Sequence, residues 1–321
     1  MTRVFKLLLP IFLSLCATSP ASAQTAETPI PGKRIIVERN VDFYGSDLRS
    51  IFDTTFEACR AACLNDNACG AFTFNTRSAS CFPKRDVTQR EAYDGAISAV
   101  VKLTPAAQLI RARERADSLT FLTPDDLSQA RSEAVAIATR HAPSGMPLPD
   151  MIDQAERARE KRDYVAALRW TGSAVSLSDR SDLWRDYAQD ALVAKGQNSN
   201  QTNTVRRRAL PAAINAYLRA PDRRAQAAAL ETMARALEDT GRGRSMIDTL
   251  RLAERLAPGD RISAALNDAI NKYGFRITDH RVDSDSASPR ICATLNEDLD
   301  RSVDYQPYVQ MPGQSFSVVA V

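Results

Sequence analysis

The sequence predicts an α+β protein in three parts: a small disulfide-stapled module with a helix on an antiparallel sheet, a long all-α region, and a short β segment at the C-terminus. Three observations predict this order. Four cysteines lie in one short stretch between Cys59 and Cys81. From Thr104 to about Tyr273, apolar residues recur at three- and four-residue spacing, which is typical of amphipathic helices. After Gly274, short β-prone runs return.

The first residues form a targeting segment. Arg3 and Lys6 give a positive start to an apolar stretch over residues 7–15, and a small-x-small motif ends at Ala23. We expect signal cleavage after Ala23, a Pro-rich linker over 24–33, and a secreted or periplasmic protein. No later stretch approaches the roughly 18 consecutive apolar residues of a membrane-spanning helix.

Residues 34–103 combine short β-prone runs with one helix. The helix is predicted over Phe56–Leu64, with Thr54 or Thr55 as its N-cap. β-Branched and aromatic residues indicate strands in three runs. These predicted strands cover residues 35–37, 70–74 and 96–103.

The four clustered cysteines predict two disulfide bonds. Cys59 and Cys63 are four residues apart and therefore share one face of the predicted helix, whereas Cys69 and Cys81 lie beyond it. Export favours oxidation, and the spacing is unlike that of a zinc site. Four cysteines allow three connectivities, and these residues alone do not choose among them.

The residues around the cysteines resemble the PAN/Apple family over about residues 37–102. The matching pieces are Asp42–Leu48, Phe56-Glu-Ala-Cys59, Ala62-Cys63, Ala68-Cys69, Ala71-Phe-Thr-Phe74 and Cys81-Phe-Pro-Lys84. The resemblance implies a central helix on a small sheet, with Cys59 paired to Cys81 and Cys63 to Cys69. The third bridge of full Apple domains is missing, so the partners of those proteins do not carry over.

Members of this family usually bind proteins or carbohydrates and are not catalytic. The resemblance therefore implies a non-catalytic binding module whose partner is an extracellular or envelope protein or a glycan. We expect the contacts to come from polar and aromatic residues outside the disulfide core. The candidates are Tyr44, Asp47, Arg49, Asn75, Arg77, Lys84 and Arg85.

The helical region is predicted to extend over residues 104–273. Its small and large apolar residues alternate in a rhythm similar to that of tetratricopeptide (TPR) repeats of about 34 residues, and an irregular helical bundle is an equal alternative. Trp170 and Trp184 are expected in its core. The predicted helices cover residues 105–119, 124–140, 150–161, 164–177, 181–195, 205–218, 223–240, 244–256 and 260–272.

The segment 274–321 is predicted to be a β domain that the sequence includes only in part, with strands at 275–278, 290–295, 305–310 and 315–321. Residues 288–299 and 303–309 resemble the opening of the first macroglobulin-like domain of bacterial alpha-2-macroglobulins. That resemblance implies, as the alternative function, the N-terminal portion of a protease inhibitor with proteases as partners. It also implies a disulfide partner for Cys292 beyond Val321; a free or intermolecular thiol is the other interpretation.

Enzyme activity, cofactors and nucleic-acid binding have no support in the sequence. The two histidines, His141 and His280, lack a Gly-x-Ser-x-Gly nucleophile, and we expect His141 to cap a helix C-terminus. Asp283 and Asp285 lack the Gly and Glu of a calcium loop, which favours a solvated turn and no metal. No nucleotide-binding motif is present. The net charge of +3 is too small to indicate nucleic acid.

Overall fold

A computed structural model describes residues 28–143, 145–285, 289–313 and 315–319. Within them lie a four-stranded sheet with one helix, ten further helices and a two-stranded sheet, so the predicted three-part order is confirmed. The signal segment and its cleavage site lie outside the described residues. No helix within the described ranges combines the length and apolar composition needed to cross a membrane.

The N-terminal module (residues 33–103) is an antiparallel sheet with one covering helix. Helix α1 (Phe56–Leu64) begins at Thr55, whose side chain accepts a hydrogen bond from the Ala58 N–H at 3.2 Å. The sheet order is β1-β4-β2-β3, with every neighbouring pair antiparallel. The strands are β1 (Lys33–Tyr44), β2 (Ala71–Asn75), β3 (Ser80–Lys84) and β4 (Gln89–Leu103).

An aromatic cluster joins α1 to the sheet. The Phe56 ring lies 5.8 Å from the Phe72 ring and 6.2 Å from the Phe74 ring, centre to centre. Phe72 and Phe74 are two residues apart on β2, so they point to the same face of the sheet. Cys59 and Cys63 are fully buried beside them. The predicted helix-on-sheet arrangement therefore depends on one face of α1.

The chain between β1 and α1 covers the outer edge of the sheet. Ile51 exchanges two backbone hydrogen bonds with Cys81, at 2.9 and 2.8 Å, and the Leu48 N–H donates to the Pro83 carbonyl at 2.8 Å. An uncovered strand edge would offer its free N–H and C=O groups to other chains. The sequence pattern did not predict this edge segment, because its residues hydrogen-bond to the backbone of β3 without forming a regular strand.

Ten helices follow the module, and most match the predictions closely. They are α2 (Ala106–Asp117), α3 (Pro124–Arg140), α4 (Leu148–Glu160), α5 (Tyr164–Ser178), α6 (Ser181–Val193), α7 (Ser199–Arg206), α8 (Ala209–Arg219), α9 (Arg223–Asp239), α10 (Gly243–Leu256) and α11 (Asp260–Tyr273). Helix α7 is a correction, since most of its residues lie between the predicted helices 181–195 and 205–218. The Asn198 side chain caps it by accepting a hydrogen bond from the Gln201 N–H at 2.9 Å, and this local bond outweighs the polar composition.

Helix α8 is the centre of the helical region. Each of its residues is buried, and it packs against α2, α3, α6 and α9. In a regular solenoid each repeat contacts only its neighbours, so contacts of α8 with α2 and α3 favour the irregular bundle. Trp184 is fully buried in this core, as predicted, whereas Trp170 is half-buried at its margin.

The start of β1 joins the module to the helical bundle. Lys33 donates to the Leu64 carbonyl at the end of α1, at 2.9 Å, while Arg34 donates to the Ser176 carbonyl near the end of α5, also at 2.9 Å. Arg39 donates to the Thr139 carbonyl near the end of α3 at 3.2 Å. Terminal helix carbonyls lack partners within their own helix. These cations therefore satisfy three helix ends at once.

The predicted linker over 24–33 is wrong for the part that the structure describes. Ile30 is fully buried in the core of the helical bundle, and Arg131 of α3 donates to the Ile30 carbonyl at 3.1 Å. Lys33 already belongs to β1. The apolar side chain of Ile30, which lies between two prolines, is buried by the bundle.

His141 ends α3 but does not act as a charged cap. Its Nε2 lies 3.1 Å from the Tyr187 hydroxyl, and burial lowers the pKa of His141 to about 3, helped by the positive charge of Arg140. Burial raises the pKa of Tyr187 to about 12. Gly172 makes the site possible, since a Cβ there would lie 2.5 Å from the His141 ring. The ring is therefore neutral at neutral pH.

The C-terminal segment contains less β structure than predicted. Strands β5 (Ile277–Asp283) and β6 (Arg290–Leu295) form an antiparallel pair. The predicted strand over 305–310 is wrong: Gln306–Tyr308 is a 3-10 turn, which the Asp304 carboxylate starts by accepting from the Gln306 N–H at 2.9 Å. The described part of 315–321 has no regular secondary structure.

Two side-chain predictions also fall in this segment. Asp283 is the last residue of β5 and forms ion pairs with Arg281 at 3.1 Å and Arg290 at 2.9 Å, so it lies in a strand and not in the predicted turn. Cys292 is a half-buried free thiol in the described chain.

The contact of Arg34 with α5 predicts a stability effect. Arg34→Ala should lower the free energy of unfolding by about 1–3 kcal/mol, because buried carbonyls at the end of α5 lose a charged donor. Lys102→Ala is the matched control, since Lys102 is the exposed cross-strand neighbour of Arg34. Urea denaturation measures both; equal stabilities of the two variants would contradict this role.

His141 predicts a pH dependence. The unfolded chain binds a proton near pH 6.5, whereas the folded chain resists it until about pH 3, so acidification should favour unfolding across this window. Relative to His141→Gln, the wild type should lose up to about 1.4 kcal/mol per pH unit there. Urea denaturation across the window measures it. His280→Gln, at an exposed histidine, is the control, and parallel pH curves for wild type and His141→Gln would refute the prediction.

Candidate binding surface on the sheet ribbon

The distal half of β1 and the start of β4 form a two-stranded ribbon. A bulge separates it from the rest of the sheet, between Arg39 and Val41, where Asn40 takes a left-handed conformation with φ 57°. Beyond the bulge, Asp42 is paired with Glu91 and Tyr44 with Gln89. Side chains of consecutive strand residues point to opposite faces. The ribbon therefore has one inner and one outer face.

The inner face fixes the ribbon to the sheet. Phe43 is 1% exposed, and its N–H donates to the Thr73 hydroxyl at 3.1 Å. The Thr73 hydroxyl shares a 2.7 Å hydrogen bond with Ser98, which lies 2.7 Å from the Val41 carbonyl. Arg90 covers the Phe43 ring from 5.0 Å. Buried and hydrogen-bonded polar groups of this kind specify one geometry, so the ribbon is rigid.

The outer face, which we call the ribbon face, consists of Asp42, Tyr44, Gln89, Glu91 and Tyr93. Tyr44 is 45% exposed and Tyr93 is 40% exposed. Asp42 and Glu91 are direct cross-strand partners, and they lie between the two tyrosines along the ribbon. The ribbon face thus presents two aromatic rings and two carboxylates to solvent on a fixed backbone.

The carboxylates dominate the electrostatics of the ribbon face. Glu91, and then Asp42, raise the pKa of Tyr44 above its ordinary value, because a negative charge disfavours the phenolate. Gln89 Nε2 donates to Glu91 at 2.5 Å and orients it. At the ribbon end, the Arg77 guanidinium lies 5.7 Å from the centre of the Tyr93 ring and pairs with Asp94 at 2.7 Å.

Two disulfides hold the opposite side of the module. Cys59 is bonded to Cys81 with Cα atoms 5.5 Å apart, and Cys63 to Cys69 with Cα atoms 5.3 Å apart. This is the connectivity that the resemblance implies. The first bridge ties α1 to β3, and the second closes the turn after α1. Residues 41–85, which include both bridges, match the family model of the PAN domain.

No curated protein matches the chain, so the resemblance to alpha-2-macroglobulins rests on the sequence pattern alone. The PAN match begins at the ribbon and ends just after β3. It therefore covers α1, both disulfides and one strand of the ribbon face. The partner strand, which carries Glu91 and Tyr93, follows the matched residues.

The N-terminal module, which we call the PAN module after its match, brings only two of the predicted contact residues to the ribbon. Tyr44 lies on the ribbon face, and Arg77 lies beside Tyr93. The prediction of Lys84 as an exposed contact is wrong: it is 5% exposed and forms an ion pair with Asp47. A lysine at the end of a conspicuous cysteine motif is here a buried structural partner.

The other predicted contacts lie on the edges and turns of the PAN module. Arg49 pairs with Asp66 at 2.8 Å and thereby ties the edge segment to the end of α1. Asn75 accepts a hydrogen bond from the Arg77 N–H at 2.9 Å and shapes the turn between β2 and β3. Arg85 is exposed, and its N–H donates to the Ser46 carbonyl at 2.9 Å.

Sequence reasoning missed Asp42, Glu91 and Tyr93 as surface residues. The predicted strand began at residue 96, whereas β4 begins at Gln89. No alternation of polar and apolar residues marks this stretch, since Arg90 and Asp94 are polar as well. In the described residues, no group of three or more potential ligand side chains is placed to hold a metal ion.

The two disulfides predict unequal losses of stability. They close loops with sequence separations of 22 and 6 residues. Because the cost of removing a bridge grows with loop length, Cys59→Ser/Cys81→Ser should cost about 3 kcal/mol and Cys63→Ser/Cys69→Ser about 2 kcal/mol. Chemical denaturation compares the two variants. Alkylation of all four sulfurs in unreduced, folded protein would show that the bridges do not form.

Proposed function

We propose that this protein is a non-catalytic binding protein whose PAN module recognises a protein or carbohydrate through the ribbon face. The observation that carries the proposal is the pair of exposed tyrosines on a ribbon whose inner face is held by the buried Phe43, Thr73 and Ser98. Tyrosine offers a large apolar ring and a polar hydroxyl in one side chain, which suits either kind of partner. The PAN match supports recognition as the task of this module.

Rigidity makes the ribbon face effective. A binding surface that is ordered before contact avoids the entropic cost of ordering a loop on association. Here the backbone under Tyr44 is fixed by the hydrogen bond of Phe43 and by the pairing of Tyr44 with Gln89, whereas Tyr93 follows the last paired residue of the ribbon, Ala92. Aromatic residues at such positions tend to contribute most of the binding energy of an interface.

The proposal of no enzyme activity rests on the surroundings of the histidines. His141 is turned inward onto Tyr187 with a strongly lowered pKa, so it is not placed to exchange protons with a ligand. His280 is exposed on β5. The proposed location is extracytoplasmic, because disulfides persist in oxidising compartments.

The ribbon face can be tested with the full chain. Glycan arrays and pull-downs from extracellular fractions identify ligands of the wild type. Tyr44→Ala/Tyr93→Ala should weaken the binding of these ligands by about tenfold or more, because it removes two anchor residues. Tyr308→Ala removes another tyrosine, 79% exposed in the C-terminal segment, and should leave binding intact. Unchanged binding of the double variant, with its thermal stability preserved, would rule out the ribbon face.

A further inference from the structure

We propose that the ribbon face binds the lysine or arginine side chain of a partner polypeptide, so that the ligand is a basic protein segment. This inference rests on the proposed function and selects one of its two ligand classes. The arrangement of Asp42, Glu91 and the two tyrosines, with the charges around them, points to this ligand.

The carboxylates of the ribbon face lie where they repel each other. Asp42 and Glu91 are directly opposite on paired antiparallel strands, and like charges in that position destabilise a sheet. Among the ion pairs of the described residues, neither has a cationic partner. Glu38 and Asp94 differ, since Glu38 pairs with Arg90 at 3.5 Å and Asp94 with Arg77 at 2.7 Å. A cation supplied by a ligand would relieve this repulsion.

The tyrosines add a second attraction for a cation. Tyr44 and Tyr93 lie on either side of the carboxylates along the ribbon, and their side chains are 45% and 40% exposed. A cation over an aromatic ring gains about 0.5–2 kcal/mol. The molecule already uses this contact at one end, where Arg77 lies over Tyr93. The ring of Tyr44, 45% exposed, remains available to a ligand.

A neutral sugar would satisfy fewer groups of the ribbon face than a cation. It can stack on a tyrosine ring, but it leaves two adjacent negative charges uncompensated. An ammonium or guanidinium group satisfies the carboxylates and the ring together. The two ligand classes also respond differently to salt, because attraction between exposed charges weakens as ionic strength rises. Binding of a basic segment must therefore be salt-dependent.

The test uses the full chain and a labelled peptide that alternates lysine and glycine. A glutamine–glycine peptide of equal length is the uncharged control. Fluorescence anisotropy measures affinity at low and high salt. The lysine peptide should bind at least about tenfold more tightly than the glutamine peptide, a difference of about 1.4 kcal/mol. High salt should remove most of that preference.

The decisive variant is Asp42→Asn/Glu91→Gln. It should weaken binding of the lysine peptide about tenfold and leave Tm equal or slightly higher, because it removes a like-charge pair. Asp298→Asn/Glu160→Gln removes two exposed carboxylates elsewhere and so matches the change in net charge. Equal affinity for the two peptides, or unchanged lysine-peptide binding by the double variant, would overturn the inference.

The outcomes separate this inference from the proposed function. A glycan that requires Tyr44 and Tyr93 but not the two carboxylates would support the proposed function and overturn the basic-segment ligand. Loss of lysine-peptide binding in both the tyrosine and the carboxylate variants would support the proposed function and the basic-segment ligand. Binding that depends on none of the four side chains would overturn both.

Discussion

The basic side chains of β1 connect the parts of this molecule. Lys33 and Arg34, adjacent in sequence, donate to the terminal carbonyls of α1 and α5, and Arg39 donates near the end of α3. A helix end carries partial negative charge and unpaired acceptors, so a cation there is doubly favourable. Since neighbouring strand residues point to opposite sides, Lys33 and Arg34 can bind the helix of their own module and a helix of the bundle at once.

This connection links the contacts that stabilise the chain to the ribbon face. The base of β1 is held by helix ends, and its distal half forms the ribbon face after the bulge at Asn40. Phe43 and the Thr73–Ser98 pair fix the ribbon, while the disulfides fix α1 on the other part of the sheet. The exposed tyrosines therefore stand on a support that extends from the module into the bundle.

The ribbon face also shows how function and stability can oppose each other. An uncompensated pair of carboxylates is unfavourable in the free protein, and such local conflicts in otherwise consistent structures tend to mark functional sites. Lys84 illustrates the reverse case. Its charge lies buried against Asp47, so it contributes to structure and offers nothing to a ligand. Charge alone did not distinguish the two roles; exposure did.

The sequence by itself determined the local features of this protein. Apolar periodicity and capping residues placed α1 and most of the bundle helices, because these signals act within a few residues, and the cysteine pattern indicated the stapled module. Tertiary structure alone decided that Ile30 is buried in the bundle, that α8 is central, that His141 is neutral and that β4 reaches back to Gln89. Each depends on contacts between segments distant in the chain, and such contacts leave no periodic signal in the sequence.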